Sequence, residues 1–459
     1  MGKLKNTLTV TIVQMGINFL DSDPEKNLGR MLGWADKIDR NGTYQKQRDF
    51  LRKIVEDKDN KWHKFVLQLW DDTDPKVRKA LMSNFFINSV LIGRANQKEI
   101  CAEKGINLPW TLLIDPTTAC NKHCTGCWAA EYGHALNLTY DQLSSIVKQG
   151  KELGIYFYLF TGGEPMVRKH DIIRLCKENP DCEFLSFTNG SLVDEAFCKE
   201  MLEVGNLTLT LSVEGFAKQN DSRRGEGSFE EVMHTMELLH QYKLLFGVSV
   251  CYTSKNTETV TSDDFLRMLQ DKGCKYIWYF HYMPVGNDAS PELLPSPQQR
   301  ELIYHKVREV RSLTSKSDIT IFPLDFQNDG EFVGGCIAGA RNYAHINANG
   351  DVEPCVFIHY SGANIKEKSL YDCLTQPLFR AYKEHQAFNK NMLRPCPMLE
   401  NPGWLPKMVK ETGAKSTDLQ SPEDVDHLVS KTVEYAKNWK PTADRLWKES
   451  GHTLPGDEQ

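Results

Sequence analysis

Residues Cys120 to Trp128 read Cys-Asn-Lys-His-Cys-Thr-Gly-Cys-Trp, and the fold can be worked out from this loop. Its cysteines, Cys120, Cys124 and Cys127, are separated by three and then two residues, which is a spacing typical of one metal assembly. Structural zinc sites and electron-transfer clusters usually take four protein ligands, whereas three leave one coordination position for another molecule. The spacing therefore predicts a metal centre that binds a further ligand from solution.

Two other interpretations of the loop stay open from spacing alone. Zinc would need a fourth ligand, and His123 lies inside the loop, although it is next to Cys124 and adjacent side chains rarely point at one ion. Reduced cysteines without a metal are the second alternative, but three thiols in one loop are poor material for a hydrophobic core.

The composition is that of an ordinary globular protein. The 459 residues carry a formal net charge of -6 without a basic stripe, which argues against nucleic acid as a partner. Met1 to Leu8 is too polar for a signal peptide, and no apolar run is long enough to span a bilayer. We therefore expect a cytoplasmic protein, with peripheral membrane contact as an alternative, whose 13 cysteines are reduced and available to metals.

From Pro109 onward, short β-rich runs alternate with helical patterns, which indicates βα units with parallel strands. The six predicted strands are Thr111 to Pro116, Ile155 to Thr161, Glu183 to Thr188, Leu207 to Val213, Phe246 to Thr253 and Tyr276 to Pro284. Six repeats predict an α/β fold with a partial (β/α)6 TIM-type barrel. Such barrels carry their reactive site on loops after the strands, and the cysteine loop follows the first strand.

The chain divides into four predicted regions. A helical N-terminal region covers residues 1–108, the barrel 109–290, an α+β extension with further cysteines 291–400, and a helical tail 401–459. In the first region, Asp74-Pro75 is a good helix start, and Val77, Leu81 and Phe85 follow on one face. This aromatic face favours packing on the barrel over contact with a membrane or a partner.

The extension holds a second cysteine region. Asn349-Gly350 is a strong hairpin signal between Tyr343 to Asn347 and Asp351 to Val356. Cys336 precedes this hairpin and Cys355 lies on its return strand. The hairpin therefore allows the two thiols to approach each other.

The Cys-x3-Cys-x2-Cys loop, the six-fold barrel and the Gly162-Gly163-Glu164-Pro165 loop together resemble the radical S-adenosylmethionine (radical SAM) superfamily. The resemblance covers residues 109 to about 286. It implies that Cys120, Cys124 and Cys127 bind a [4Fe-4S] cluster whose fourth iron takes SAM. It also implies reductive cleavage of SAM to a 5'-deoxyadenosyl radical, which abstracts hydrogen from a substrate.

Further motifs of this family fall where the resemblance requires them, and the residues that they imply for SAM binding are Gly162, Gly163, Glu164, Asn189, Ser212, Glu214 and Arg224. Glu164 would pair with the SAM ammonium, and Arg224, or its neighbour Arg223, with the carboxylate. Two positions depart from the pattern. Glu214 stands where the family has Asp, and Gly126 stands where an aromatic residue usually packs on the adenine, which leaves Trp128 as the candidate for stacking.

The later cysteines resemble SPASM or Twitch extensions, which carry auxiliary iron-sulfur clusters. Cys336-x13-Gly350-x4-Cys355 fits the first half of the SPASM pattern, and Cys396 alone stands in the second half. The resemblance thus implies at most one auxiliary cluster, held by Cys336, Cys355 and Cys396. Cys373, a carboxylate, the substrate or nothing would fill the fourth position, and the remaining cysteines are expected in the core.

We expect an oxidoreductase or a bond-forming enzyme that receives its electron from reduced flavodoxin or ferredoxin. A peptide substrate, as for peptide maturases, is the first hypothesis, and a lipid acyl chain is the second. A hypothesis of another class is a non-catalytic iron-sulfur or zinc scaffold. By position, the candidate catalytic or substrate groups are Tyr282, Asp325 and Asp329, together with His281 and Glu331.

Overall fold

The computed structural model describes residues 19–20, 22–38 and 45–454, so the stretch Met1 to Leu8 lies outside the described residues. Within them, nine strands form one sheet in the order β7-β6-β5-β4-β3-β2-β1-β8-β9. These strands are β1 Thr111–Ile114, β2 Phe157–Phe160, β3 Glu183–Thr188, β4 Leu207–Ser212, β5 Phe246–Tyr252, β6 Tyr276–His281, β7 Phe322–Asp325, β8 Tyr343–Ile346 and β9 Val352–Glu353.

The six predicted strands are β1 to β6, and neighbours pair in parallel and in chain order. This confirms the α/β fold with a partial barrel. The helices between these strands form the crossover connections that parallel pairing requires. The helices from β1 to β7 are Ala130–Tyr132, Tyr140–Glu152, Pro165–Arg168, Lys169–Glu178, Glu195–Val204, Ala217–Arg224, Ser228–Gln241, Thr257–Val260, Asp263–Asp271, Pro291–Leu293 and Pro297–Arg311.

Three strands of the 291–400 region, β7, β8 and β9, join the barrel sheet. β7 pairs in parallel with β6, and β8 pairs in parallel with β1, so the extension lengthens the sheet at both ends. Residue 290, predicted as a domain boundary, is therefore not an edge of the sheet. The predicted hairpin is present, with His345 of β8 opposite Glu353 of β9, and its Gly350 has a φ of 92°, which favours glycine.

The N-terminal region is helical, as predicted. Its described helices are Pro24–Ile38, Gln45–Glu56, Lys61–Asp71, Pro75–Ala80, the π-helix Leu81–Gly93 and Arg94–Lys104. The helix start at Asp74-Pro75 is confirmed, because the Asp74 carboxylate accepts a hydrogen bond from the amide of Lys76 at 2.8 Å. A cap of this kind satisfies one of the unpaired amides of the first turn.

The aromatic face of this region covers the barrel. Phe85 packs edge-on against Trp110 at 5.4 Å and Phe157 at 5.1 Å between ring centroids, just before β1 and at the start of β2. The Phe85 ring thus packs on the amino-terminal end of the barrel, as the sequence favoured, whereas Phe86 is exposed. Among the described residues, no helix is both long and apolar enough to cross a bilayer.

The C-terminal segments pack on the inner side of the sheet. One apolar core lies between the sheet and its outer helices, and a second joins inward-facing barrel residues such as Leu113 and Leu185 to Tyr435 and Trp439. Residues 370–385 form two short helices rather than one, because Pro377 starts a new helix. The remaining elements are Gly330–Val333, β10 Tyr360–Ser361, Leu370–Leu374, Pro377–His385, Trp404–Thr412, β11 Lys415–Ser416, Val425–Ser430 and Val433–Glu449.

Candidate functional site

A cavity of about 180 Å³ lies at the carboxyl ends of the barrel strands. It is where parallel βα units place their reactive loops. The sequence-predicted residues that line it are Cys120, Cys124, Cys127, Trp128, Gly162, Gly163, Glu164, Asn189, Ser212, Arg224, Tyr282 and His281. The fold thus brings the cysteine loop and the SAM-type motifs together around one space.

The three thiols of the loop suit a cluster better than a single ion. Burial raises the pKa of Cys120 to about 11 and also raises that of Cys127, so their thiolates need a cation for compensation. Among the described residues, no three His, Cys, Asp or Glu side chains are arranged to hold one metal ion. His123 is exposed and lies against His134 at 5.5 Å, which removes the fourth ligand of the zinc alternative.

The glycines of the second loop are required by the cysteine loop itself. The Gly163 amide donates to the Thr117 carbonyl at 3.0 Å, and the Glu164 amide donates to the Ala119 carbonyl at 2.8 Å. A Cβ on Gly163 would overlap the carbonyl oxygens of Thr118 and Ala119, and a Cβ on Gly162 would lie 2.7 Å from the Thr117 oxygen. The two loops therefore form one unit that only glycine permits.

The Glu164 carboxylate is buried and already accepts three hydrogen bonds. The donors are the Met166 amide at 2.9 Å, the Thr188 hydroxyl at 2.7 Å and the Asn189 amide at 2.8 Å. Burial raises its pKa, and these donors offset part of that effect. Glu164 thus joins the second and third loops, and its pairing with the SAM ammonium stays a prediction.

Glu214 lies behind the cavity wall and holds both candidate arginines. Its Oε1 is 2.6 Å from Arg223 Nη1 and 2.5 Å from Arg224 Nη2, and the Glu214 side chain is fully buried. Arg224 Nη1 also lies 3.9 Å from Cys124 Sγ. The buried Nε of Arg223 has no hydrogen-bond partner among the described residues, so a donor next to the thiols is left for an anionic ligand.

The position of the Tyr282 ring explains why residue 126 is a glycine. A Cβ on Gly126 would lie 2.7 Å from Cε2 of the Tyr282 ring, and Gly126 has a φ of 67°. An aromatic ring from the end of β6 therefore occupies the space beside the residue before Cys127. Trp128 also lines the cavity and packs edge-on against His345 at 5.8 Å and His359 at 6.1 Å.

A buried polar network lies beneath Trp128. His345 Nδ1 donates to Glu353 Oε2 at 2.6 Å, and His345 Nε2 lies 3.0 Å from Asp115 Oδ1. Burial lowers the pKa of His345, but the two carboxylates more than offset this and raise it to about 10. The Tyr132 hydroxyl also donates to Glu353, at 2.8 Å. The network joins β1, the cysteine loop and the C-terminal hairpin.

The predicted auxiliary cysteines share one region. Cys355 belongs to the C-terminal apolar core, and Cys336 and Cys396 pack against it. Burial raises the pKa of Cys396, and Glu400, Cys336 and Cys355 raise it further. Cys373 instead lies in the core between the sheet and its outer helices. The structure thus separates Cys373 from the other three thiols.

Three of the candidate substrate groups lie outside the cavity lining. Asp325 accepts the amides of Gln327 and Asn328, Asp329 pairs with Arg311 at 2.6 Å, and Glu331 pairs with Arg308 at 2.5 Å. These carboxylates stabilise a turn and a helix, so the structure does not support them as substrate groups. His281 and Tyr282 do line the cavity.

Several lining residues were not among the predicted ones. The ends of β3, β5 and β6 and the segment after Cys355 supply Phe187, Ser249, Cys251, Phe280, Met283, Val356 and Phe357. Cys251 was expected in the core. Its position at the end of a barrel strand was the signal that could have placed it at the site.

Two family matches cover most of the barrel and much of the extension. Residues 114–277 match the radical SAM superfamily, and residues 336–398 match SPASM, an iron-sulfur cluster-binding domain. The first match begins in β1 and ends in β6, and the second spans Cys336, Cys355 and Cys396.

Individual relatives are distant. The AdoMet-dependent heme synthase of Oleidesulfovibrio alaskensis is 23% identical over 311 residues, which is 60% of this chain and 79% of the relative. The mycofactocin maturase of Mycobacterium ulcerans is 26% identical over 299 residues, 62% of this chain and 80% of the relative.

A solved structure shows the same fold. The crystal structure of Streptococcus suis SuiB bound to the precursor peptide SuiA superposes with a TM-score of 0.55 at 17% identity, covering 66% of this chain and 74% of SuiB. The likeness to SuiB shows the fold, and the two family matches show the domains. The chain therefore carries a radical SAM domain followed by a SPASM domain, and it is a radical SAM enzyme.

Proposed function

We propose that this radical SAM enzyme takes hydrogen from an apolar side chain of a peptide substrate. The observation that carries the proposal is the apolar part of the cavity lining. It is formed by Phe187, Phe280, Met283, Val356 and Phe357, and carries no charged group. Such a wall suits an uncharged aliphatic or aromatic group.

The cationic side chains of the cavity are already paired. Lys122 lies 2.5 Å from Glu231, and Arg223 and Arg224 share Glu214. Burial lowers the pKa of His281 well below its ordinary value, so that ring adds no positive charge. A substrate with several phosphates or carboxylates would thus find little compensation beyond Arg223 Nε, which has no hydrogen-bond partner in the part of the chain that the structure describes and which we assign to the carboxylate of SAM.

The residues of the chain then have separate tasks. Cys120, Cys124 and Cys127 hold the [4Fe-4S] cluster, and Cys336, Cys355 and Cys396 hold an auxiliary cluster. When bound, the first cluster and SAM supply a carbon radical that can take hydrogen from an unactivated carbon. Tyr282 and Trp128 pack on the adenine, and the apolar wall positions the substrate and keeps water away.

Relatives support a peptide as the substrate class. SuiB has been crystallised with a precursor peptide, and the mycofactocin enzyme is named a maturase. The lipid alternative loses its support from Phe85, which packs on the barrel. The intact cavity argues against a silent scaffold. We propose reduced flavodoxin or ferredoxin as the electron source.

A deuterium-transfer experiment tests the substrate class. The source cells are grown on a deuterated carbon source. Their extract is divided into an untreated part, a protease-treated part and a lipid-extracted part. Each is incubated with the enzyme, SAM and dithionite, and deuterium in 5'-deoxyadenosine is measured, with Cys124→Ala as the control. We expect deuterium from the untreated and lipid-extracted parts and a loss after protease. Loss after lipid extraction instead would contradict a peptide substrate.

A further inference from the structure

The auxiliary cysteine region has three thiols and needs a fourth group. All 13 cysteines lie in the described part of the chain, and those other than Cys336, Cys355 and Cys396 lie in the cysteine loop, the cavity wall, the barrel-side core or packed against it. No cysteine is therefore left for the fourth position. Iron-sulfur clusters held by proteins usually take four ligands, so another side chain is worth seeking.

Tyr382 is the side chain that fits this position. It lies in the helix Pro377–His385 and is fully buried, and its hydroxyl has no hydrogen-bond partner among the described residues. A buried hydroxyl of this kind is costly unless something binds it. The ring itself is fixed by close packing on Gly339, where a Cβ would overlap it, and by edge-on contact with Phe388 at 5.5 Å.

The helix that carries Tyr382 is tied to two of the cysteine segments. One turn later, the Gln386 amide donates to the Cys336 carbonyl at 3.2 Å and to the Ala338 carbonyl at 2.8 Å. The Gly339 amide, against the Tyr382 ring, donates to the carbonyl of Pro354, the residue before Cys355, at 2.9 Å. These contacts fix the Tyr382 ring against the two segments that carry Cys336 and Cys355.

The third thiol lies in the same core. Tyr382 and Cys355 are buried members of the C-terminal apolar core, and Cys336 and Cys396 pack against it. A cationic cluster held by the three thiols would favour the phenolate form of a buried phenol beside it.

Other polar side chains nearby are already engaged or are weaker ligands. The Tyr343 hydroxyl donates to Cys355 Sγ at 2.7 Å. Glu400 accepts the Cys396 amide at 2.7 Å and lies 2.7 Å from Arg300 Nη1, so it supports the loop of Cys396. The oxygen of Gln386 has no hydrogen-bond partner among the described residues, but it is a neutral amide. A phenolate is an iron ligand in haem proteins.

We propose that the phenol oxygen of Tyr382 is the fourth ligand of the auxiliary cluster. The proposal rests on the assignment of Cys336, Cys355 and Cys396 to that cluster in the proposed function. Coordination forms an iron-oxygen bond, breaks the O–H bond and releases the proton to solvent, and no electron is transferred. Every iron of the cluster then has a ligand from the chain, so the cluster does not bind the substrate.

The test uses the full chain with Cys120→Ala, Cys124→Ala and Cys127→Ala, which leaves the auxiliary cluster alone. Resonance Raman spectra excited in the phenolate-to-iron charge-transfer band are expected to show tyrosinate vibrations. Adding Tyr382→Phe should remove them, and mild oxidation should then lower iron from about four to about three per chain with a three-iron EPR signal. Adding Tyr343→Phe is the matched control, which should keep the vibrations.

Three results would overturn the proposal. The first is the absence of tyrosinate vibrations in the parent variant. The second is loss of these vibrations in Tyr343→Phe, which would mean that Tyr343 and not Tyr382 binds the cluster. The third is a Raman spectrum that is unchanged by Tyr382→Phe. A parent variant without iron would instead refute the three-thiol assignment itself, which separates failure of the proposed function from failure of the fourth ligand.

Discussion

Glu214 holds both arginines of the cavity with one buried carboxylate. Glu214→Gln removes the charge but keeps the shape, and it leaves Arg223 and Arg224 buried without an anion. Breaking a buried pair in this way costs about 3 kcal/mol or more. We therefore expect the free energy of unfolding to fall by about 3 kcal/mol in denaturant titrations, and SAM binding in equilibrium dialysis to weaken by at least about tenfold, equal to about 1.4 kcal/mol.

An exposed ion pair provides the control for Glu214. Glu434 lies 3.9 Å from Lys437, and both side chains are largely exposed. Glu434→Gln is expected to change stability by less than about 0.5 kcal/mol, because exposed pairs are screened by water. Equal effects of the two substitutions would show that Glu214 has no special role.

His345 gives the stability a defined pH dependence. Its pKa is raised to about 10 by Asp115 and Glu353, above about 6.5 in the unfolded chain. A group with a raised pKa stabilises fully below the unfolded value and loses this effect as the pH rises through the folded value. His345→Gln should thus cost about 3 kcal/mol near pH 6, and the difference from wild type should shrink as the pH rises through about 10.

Denaturant titrations of the chain from pH 6 to pH 11 measure this difference. His305 is the control because its ring is exposed on the helix Pro297–Arg311, beside Glu301 at 3.3 Å. His305→Gln should change stability by less than about 0.5 kcal/mol at every pH. A constant penalty for His345→Gln across the range would mean that its charge is not what the network stabilises.

At the scale of elements, the two loops after β1 and β2 act as one unit. Gly163→Ala would push a methyl group into the carbonyls of Thr118 and Ala119. The loops must then separate, which displaces the stem of the cysteine loop. We expect a loss of about 2 kcal/mol in the free energy of unfolding and a cysteine-loop cluster that binds iron incompletely, measured as iron per chain.

Gly33 is the matched control for this substitution. It lies in the helix Pro24–Ile38, and a Cβ there meets no atom within 4 Å. Gly33→Ala should stabilise the chain by roughly 0.5–1 kcal/mol through helix propensity and leave the iron content unchanged. If Gly163→Ala behaves in the same way, the loops do not depend on their close packing.

The elements predicted correctly from sequence are those with local signals. β1 to β6 follow from alternating β-rich and helical patterns, and the hairpin follows from Asn349-Gly350. The pairing of β8 with β1 was not predicted, because a parallel register between segments more than 200 residues apart has no local signature. For the same reason, the region 291–400 was taken as separate from the sheet.

At the scale of the whole molecule, the site was predicted where motifs specify it and missed where folding assembles it. The three cysteines and the Gly162-Gly163-Glu164 loop could be predicted because their spacing in the sequence is specific to this kind of site. The network of Asp115 with His345 and the packing of Tyr382 on Gly339 depend on contacts between distant segments. Sequence spacing cannot reveal such contacts.

The whole molecule is predicted to hold two clusters, of which only the one at the cysteine loop cleaves SAM. The most direct test compares wild type with Cys120→Ala/Cys124→Ala/Cys127→Ala under anaerobic conditions. It measures the iron per chain and the 5'-deoxyadenosine formed with SAM and dithionite. We predict about eight irons in wild type and about four in the variant, with 5'-deoxyadenosine from wild type alone. Equal iron in both proteins, or 5'-deoxyadenosine from the variant, would contradict the account.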